Sequence, residues 1–268
     1  MRARGRIDTR QPVNWQFPPN AGTLAWWLPL PGRGGGGKLF DLTGRYPGTL
    51  AGGVTWAAGE GGAAALSFNG SSGAVNVGGV SALNLSRSFS LAVRFRLTST
   101  ASFYTLLSYG NSGFNFRVNT AKLNFLKSQI ADIAYGSTTL SANVWYTGGF
   151  TMDASGNGAF YLDGRPDGTF STAQTFGGSQ QFSLGTDYQG NGVGQGWFSG
   201  LISDARVVGR ELSAADHAAL HDQMRMGHPD ALRRYTPRAW LSVPVSPPPP
   251  PPAGSGFPAA VVGGGYGW

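Results

Sequence analysis

The run Leu201-Ile202-Ser203-Asp204-Ala205-Arg206-Val207-Val208 constrains the chain more than any other stretch. Apolar and polar residues interleave along it over the length of one strand, which predicts a half-buried β-strand. A Gly-rich loop with Trp197 and Phe198 leads in, and Ser213 follows with Asp216 three residues on, a helix N-cap and an acid in the first turn. A β-protein closing on one short helix, at about Ser213–Met224, is therefore expected. Composition agrees where it bears on this: 43 glycines in 268 residues and a 12% charged share suit many short strands joined by tight turns. There is no cysteine, so neither a disulfide nor a thiolate metal site is available and core packing must hold the fold. Leu91, Val93 and Phe95 are expected inward residues, and Thr23 to Leu30 the first strand.

Charge divides the chain into parts. Arg2, Arg4, Arg6 and Arg10 against Asp8 give +3 over residues 1–10, and Arg225, Arg233, Arg234 and Arg238 against Asp230 give +3 over residues 225–238. Of the formal +7, one unit is left for everything between and beyond. Nucleic-acid binding needs a basic folded face, so no nucleic-acid partner is expected. Residues 1–22 read as an extended basic arm, 23–222 as the sandwich and 223–268 as a basic Pro/Gly-rich tail. The six prolines Pro247 to Pro252 form a polyproline spacer roughly 19 Å long. Arms of this kind suit anchoring: Arg2, Arg4, Arg6, Trp15 and Phe17 at one end, and Arg233, Arg234, Arg238, Phe257, Tyr266 and Trp268 at the other. No apolar run reaches the roughly 20 residues that cross a bilayer, so no membrane insertion is expected. The first residues also lack the apolar stretch of a signal peptide.

Six segments in order carry a family resemblance: Asp41-Leu42-Thr43-Gly44 with Gly48-Thr49-Leu50; Leu66-Ser67-Phe68-Asn69-Gly70; Ser88 to Phe95; Trp145 to Asp153; Phe160-Tyr161-Leu162-Asp163-Gly164; and the closing strand with its helix. Together they resemble the laminin-G-like, concanavalin-A-like jelly roll. The resemblance implies an all-β, two-sheet antiparallel jelly-roll sandwich with a short C-terminal helix and extended terminal arms. His228 to Arg238 resembles a segment that follows this jelly roll in proteins encoded by phages and prophages, without that segment's Trp. In many relatives the rim binds Ca2+, and Asp41 and Asp204 stand at the matching positions. The chain departs from that pattern at Asn69 and Ser203, where acids are usual, so no cofactor is required and calcium is the one candidate.

Catalytic constellations are sparse. Glycosidases on this sandwich need two carboxylates flanking the scissile bond, whereas the only glutamates are Glu60, in a Gly/Ala-rich loop, and Glu211, before the closing helix. The chain is expected not to be an enzyme. Asp163-Gly164 and Asp167-Gly168 read as turn formers. His217 and His221 stand four apart on the helix without the glutamate of a zinc motif, and read as two solvated helix residues. Glycan binding has candidates in two Gly-rich loops: Tyr188, Asn191 and Trp197 in one, Tyr109 and Asn111 in the other.

Two functions compete. One is a virion-associated structural protein, a capsid decoration, head fibre or tail appendage. It would be assembled in the host cytoplasm, anchored to other virion proteins through its termini and displaying the jelly roll outward to cell-surface glycans. The alternative is a lectin-like or adhesion module of a cellular protein. Unpaired edge strands imply a homo-oligomer in either case.

Overall fold

The computed structural model describes residues 13–15, 17–30, 37–78, 85, 88–110, 113–128, 130–176, 181–188 and 194–226. In chain order the strands are β1 (Thr23–Trp27), β2 (Lys38–Leu39), β3 (Gly48–Ala51), β4 (Thr55–Ala58), β5 (Ala64–Asn69), β6 (Ala74–Gly78), β7 (Phe89–Leu97), β8 (Tyr104–Ser108), β9 (Phe114–Asn119), β10 (Lys122–Lys127), β11 (Ala131–Tyr135), β12 (Trp145–Met152), β13 (Asn157–Leu162), β14 (Arg165–Ser171), β15 (Gln181–Leu184), β16 (Asp187–Tyr188), β17 (Gly194–Gln195) and β18 (Ser199–Val208), followed by helix α1 (Ala214–Met226). The back sheet runs β14-β13-β12-β7-β18-β5-β4, with β1 also on β18; the front sheet runs β11-β10-β9-β8-β15-β6-β3-β2; β16 and β17 form a separate ribbon. The pairings are antiparallel, as the sandwich expectation requires.

Alternation along the strands sends one set of side chains between the sheets. Leu91, Val93 and Phe95 of β7 are fully buried there, as are Phe114, Phe116, Phe125, Phe150 and Phe182. Phe125 and Phe150 meet across the sandwich at a tilt of 41°, with ring centroids 4.5 Å apart. Ser213 caps α1 as expected: its Oγ accepts from the Asp216 N–H at 3.1 Å, and its own N–H donates to Asp216 Oδ2 at 3.1 Å, a reciprocal capping box.

Three expectations are corrected. The first strand ends at Trp27, because Pro29 cannot continue a ladder. β18 is buried on both faces and not one, with Asp204 1% and Arg206 0% exposed. The cover over Arg206 comes from α1, through Gln223, and from a single 3-10 turn, Pro18–Asn20, whose Asn20 Oδ1 accepts from Arg206 Nη1 at 3.0 Å. That contact also moves the sandwich's beginning: Pro19 and Asn20 are buried, so residues 18–22 belong to the fold and not to an arm.

Candidate functional site

The outer faces of the two sheets hold nearly all the polar chemistry of the described residues. On the back sheet, Ser90, Arg94 and Arg96 alternate with the core residues of β7. Arg94 is 2% exposed and bridges Glu60, Asp163 and Thr147, its Nη1 lying 3.5 Å from Asp163 Oδ1 and 3.1 Å from Thr147 Oγ1. Glu60 is therefore engaged by an arginine on a neighbouring strand, and Glu211 stands exposed ahead of α1. Arg206 lies flat over Trp26, 3.5 Å from the ring centroid, and pairs with Asp204 at 3.3 Å.

Helix α1 lies across this face, against the expectation of two solvated histidines. His217 is 3% exposed, stacks on Tyr161 with centroids 3.9 Å apart, and meets Thr151 Oγ1 at 2.9 Å. Thr151 in turn meets Ser90 Oγ at 2.8 Å. His221 reaches Thr147 Oγ1 at 3.0 Å and Asp163 Oδ1 at 3.5 Å. The close approach depends on glycines: a Cβ on Gly164, which has φ +77°, would stand 2.7 Å from Ala218 Cα, and one on Gly149 would stand 3.4 Å from His217 Cε1. Burial drives the His217 imidazole down to about 3, against a small opposing effect of Asp216. Burial also lowers His221, where Asp163 opposes it. This face is closed by its own helix, and its polar groups hold that helix in place.

The front sheet differs. On its outer side β9 presents Asn115, Arg117 and Asn119, β10 presents Asn124, and β11 presents Asp132 and Tyr135. Register aligns Arg117 with Asn124, and Asn124 with Tyr135. Arg117 donates from Nε to Asn124 Oδ1 at 2.6 Å and from Nη2 to Asp132 Oδ1 at 2.7 Å. The other Asp132 oxygen accepts from the Tyr135 hydroxyl, which itself accepts from Asn119 Nδ2 at 3.0 Å. Burial, followed by the Asp132 hydrogen bond and charge, pushes the Tyr135 hydroxyl up from its usual value, so it remains a protonated donor. The Arg117 guanidinium sits 5.1 Å from the Phe103 ring centroid. Phe103 and Tyr135 are each 38% exposed, so two rings stand at the surface around a fixed hydrogen-bonding network. Deeper in the same face, Thr105 Oγ1 and both amide atoms of Asn115 are buried with no hydrogen-bond partner, and so is Ser128 Oγ just past β10.

The residues singled out by sequence fare unevenly. Tyr109 is 0% exposed and packs among Phe114 and Phe182, so it is a core residue and not a glycan contact; Tyr109 alternates with Ser108, and the inward parity wins. Trp197 is half-buried against Gly194, beside the ribbon. The Tyr188 side chain and Asn111 and Asn191 lie outside the described residues. Asp41 is 0% exposed, and its two oxygens accept from the N–H groups of Trp26, Thr43, Arg45 and Tyr46 and from the Thr43 hydroxyl. Five donors, one on β1 and four in the loop after β2, converge on one carboxylate, while Asp204 is held by Arg206, so the two acids matched to a cation site each serve the fold separately. Trp15 is 46% exposed and Phe17 half-buried. Arg2, Arg4, Arg6, Arg233, Arg234, Arg238, Phe257, Tyr266 and Trp268 lie outside the described residues. Among the described residues no helix is long and apolar enough to cross a membrane. Sequence reasoning missed Phe103, Arg117, Asp132 and Tyr135, which only the register of β9, β10 and β11 brings together.

The family model described as the concanavalin A-like lectin/glucanases superfamily, of laminin-G type, matches residues 69–216, more than half of the chain. Among solved structures the chain resembles the binding domain of botulinum neurotoxin DC in complex with rat synaptotagmin II, at 16% identity and TM-score 0.59, over 76% of this chain and 52% of that one. It also resembles a structure of botulinum neurotoxin type C, a toxin whose cell entry is described as dependent upon interaction with two ganglioside molecules, at 17% identity and TM-score 0.58, over 76% of this chain and 51% of that one. A mutant Trypanosoma rangeli sialidase displaying trans-sialidase activity matches at 16% identity and TM-score 0.60, over 77% of this chain and 33% of that one. At such identities the likeness is one of fold, and the chain spans about half the length of the toxin domains. No curated protein matches the chain in sequence.

Proposed function

Because the chain belongs to the concanavalin A-like lectin/glucanases superfamily, we propose that it is a carbohydrate-binding module without catalytic activity, and that it takes its glycan on the outer face of the front sheet around Phe103, Arg117, Asp132 and Tyr135. One observation carries this reading: two half-exposed rings flank an arginine, a carboxylate and two amides that already hold one another in fixed geometry. Sugar rings stack their C–H faces on aromatics while their hydroxyls exchange hydrogen bonds with planar polar groups. Preorganisation lowers the ordering cost of binding. A panel of immobilised glycans, followed by calorimetry on the best binder, tests the proposal. Tyr135→Ala and Arg117→Ala should each weaken binding by tenfold or more while melting within a few degrees of the parent. Binding that survives both substitutions moves the site elsewhere.

A second reading rests on the two ends of the sequence, each with a net +3, and on the six-proline spacer. The module is anchored through them to an acidic neighbour, and the resemblance of residues 228–238 to a phage-encoded segment makes a virion the assembly in view, with calcium as an optional ion of its rim. A chain trimmed to residues 13–226 should keep its glycan binding and fail to join the particle. Equal incorporation of trimmed and full chains would remove the anchoring role.

A further inference from the structure

An arginine drawn into a fold loses water from its guanidinium and needs acceptors in return. Four of the described arginines that are buried or half-buried obey: Arg94 meets Glu60, Arg117 meets Asp132, Arg206 meets Asp204 and Arg210 meets Asp216. Arg96 is half-buried and breaks the pattern. Its Nε is buried with no hydrogen-bond partner, and no carboxylate among the described residues pairs with it.

Its neighbours form a strip of the back sheet. Phe95 and Leu97 point into the core, so alternation sends Arg96 outward. Register then sets it in one row across five adjacent strands: Thr55 of β4, Ser67 of β5, Leu201 of β18, Arg96 of β7 and Trp145 of β12. Helix α1 closes the back sheet over Thr151 and over Thr147, which stands opposite Arg94; the row of Arg96 lies beyond. Thr55 is exposed there, and Ser67, Arg96 and Trp145 are half-buried. Arg94 and Arg96 both lie over the Trp145 ring, 5.7 Å and 5.8 Å from its centroid. Glu60 and Asp163, however, both engage Arg94. Arg96 is thus the one charge of its row, and it is uncompensated.

We propose that this row is a docking strip for an extended acidic segment of a protein partner, a glutamate or aspartate carboxylate of which pairs with Arg96. Charge selects the partner. The chain carries +7 and draws acidic surfaces towards it, and the planar guanidinium fork matches a carboxylate in shape. Leu201 and Trp145 flank Arg96 in the row and offer apolar surface to the side chains on either side of that carboxylate. Five strands span about 19 Å, the length of about six extended residues. A sulfated polysaccharide fits less well, because its many charges need several unpaired cations in line and the row supplies one. The strip is distinct from the front-sheet network and from the basic ends of the sequence.

Fluorescence polarisation on the full chain tests this, with a labelled peptide of alternating glutamate and leucine and its glutamine counterpart. The glutamate peptide should bind about tenfold or more tightly than the glutamine one, and Arg96→Gln should raise its dissociation constant by about tenfold. Arg165→Gln removes the same charge at an exposed position of β14 and should leave the affinity as it was. Photo-crosslinking of the glutamate peptide to the parent is independent of whether any variant folds, and its marks should fall on Thr55, Ser67, Trp145 or Leu201. Equal binding of the two peptides, an affinity unchanged in Arg96→Gln, an equal loss in Arg165→Gln, or crosslinks confined to residues 1–12 and 227–268 overturns the proposal. A heparin hexasaccharide whose binding depends on Arg96 while that of the glutamate peptide does not gives the row to a glycan and overturns it too.

Discussion

Two arginines, one on the outer face of each sheet, define opposite uses of the same sandwich. Arg206 on the back sheet is 0% exposed, with its charge met by Asp204, its plane by Trp26 and further donors by Asn20 and Gln223. Arg117 on the front sheet is also bonded on two sides, by Asn124 and Asp132, but its side chain keeps 16% exposure beside Phe103. A buried ion pair is a structural commitment, because removing one partner strands the other charge in a low-dielectric interior. A paired charge at the surface contributes little to stability and remains available to a ligand. Around Arg206 the back face is closed by helix α1, whereas the front network brings Asp132 and Tyr135 to the surface over a buried Asn124.

The comparison breaks most sharply at the two arginines. Arg206→Ala should cost about 3–5 kcal/mol in urea unfolding, since it removes the arginine that pairs with buried Asp204. Arg117→Ala should cost about 1 kcal/mol or less, and its effect should appear in glycan binding. Costs of similar size at the two positions would show that the front network is structural too.

Acid should act on the back face alone. The folded-state His217 value, about 3, lies below the ordinary 6.5, so the unfolded chain takes up the proton first. The contribution of neutral His217 is therefore fully present above about pH 6.5 and is lost as pH falls towards 3, roughly 3 kcal/mol by pH 4.5. His217→Gln should flatten that slope, read from melts at several pH values. A slope unchanged by the substitution assigns the acid sensitivity to other groups. The smallest effect is expected at Asp132→Asn, which keeps the shape of the front network and removes its charge: Tyr135 should then titrate at lower pH, seen by ultraviolet difference spectra, with stability changed by about 0.5 kcal/mol or less.

Legibility in the sequence followed the range of the interactions. The closing strand, the Ser213 capping box and the Asp163-Gly164 turn, with φ of +48° and +77°, are set by residues a few positions apart whose preferences agree with the structure. The turn joining β9 to β10 has the same left-handed pair at Thr120 and Ala121, φ +49° and +57°, where neither residue favours it, so sheet pairing on both sides imposes it. That turn fixes the register that sets Arg117 beside Asn124, and the bulge between Phe125 and Leu126 then sets Asp132 within reach. The front network was illegible for that reason: its members span residues 103–135, and no local rule connects them. Asp41 was legible as a special acid, but its five donors, the Trp26 N–H of β1 and four in its own loop, converge only once the strand and loop are folded together and could not be read in advance.

The pairing of β18 has a consequence for how the molecule is made. Among the described residues β1 has a strand neighbour only in β18, through Thr23↔Val208 to Trp27↔Ala205, while β5 pairs the first half of the same edge of β18 and β7 runs along its other edge. A chain emerging from the ribosome therefore carries the β18 side of its first strand open through the synthesis of some 180 further residues. Closing a loop of that size makes the last step slow relative to the local hairpins of the front sheet. During that interval one edge of β7 stands open in the middle of the future back sheet, and a ribosome stalled before Ser199 would leave a nascent chain with its central ladder exposed to other chains.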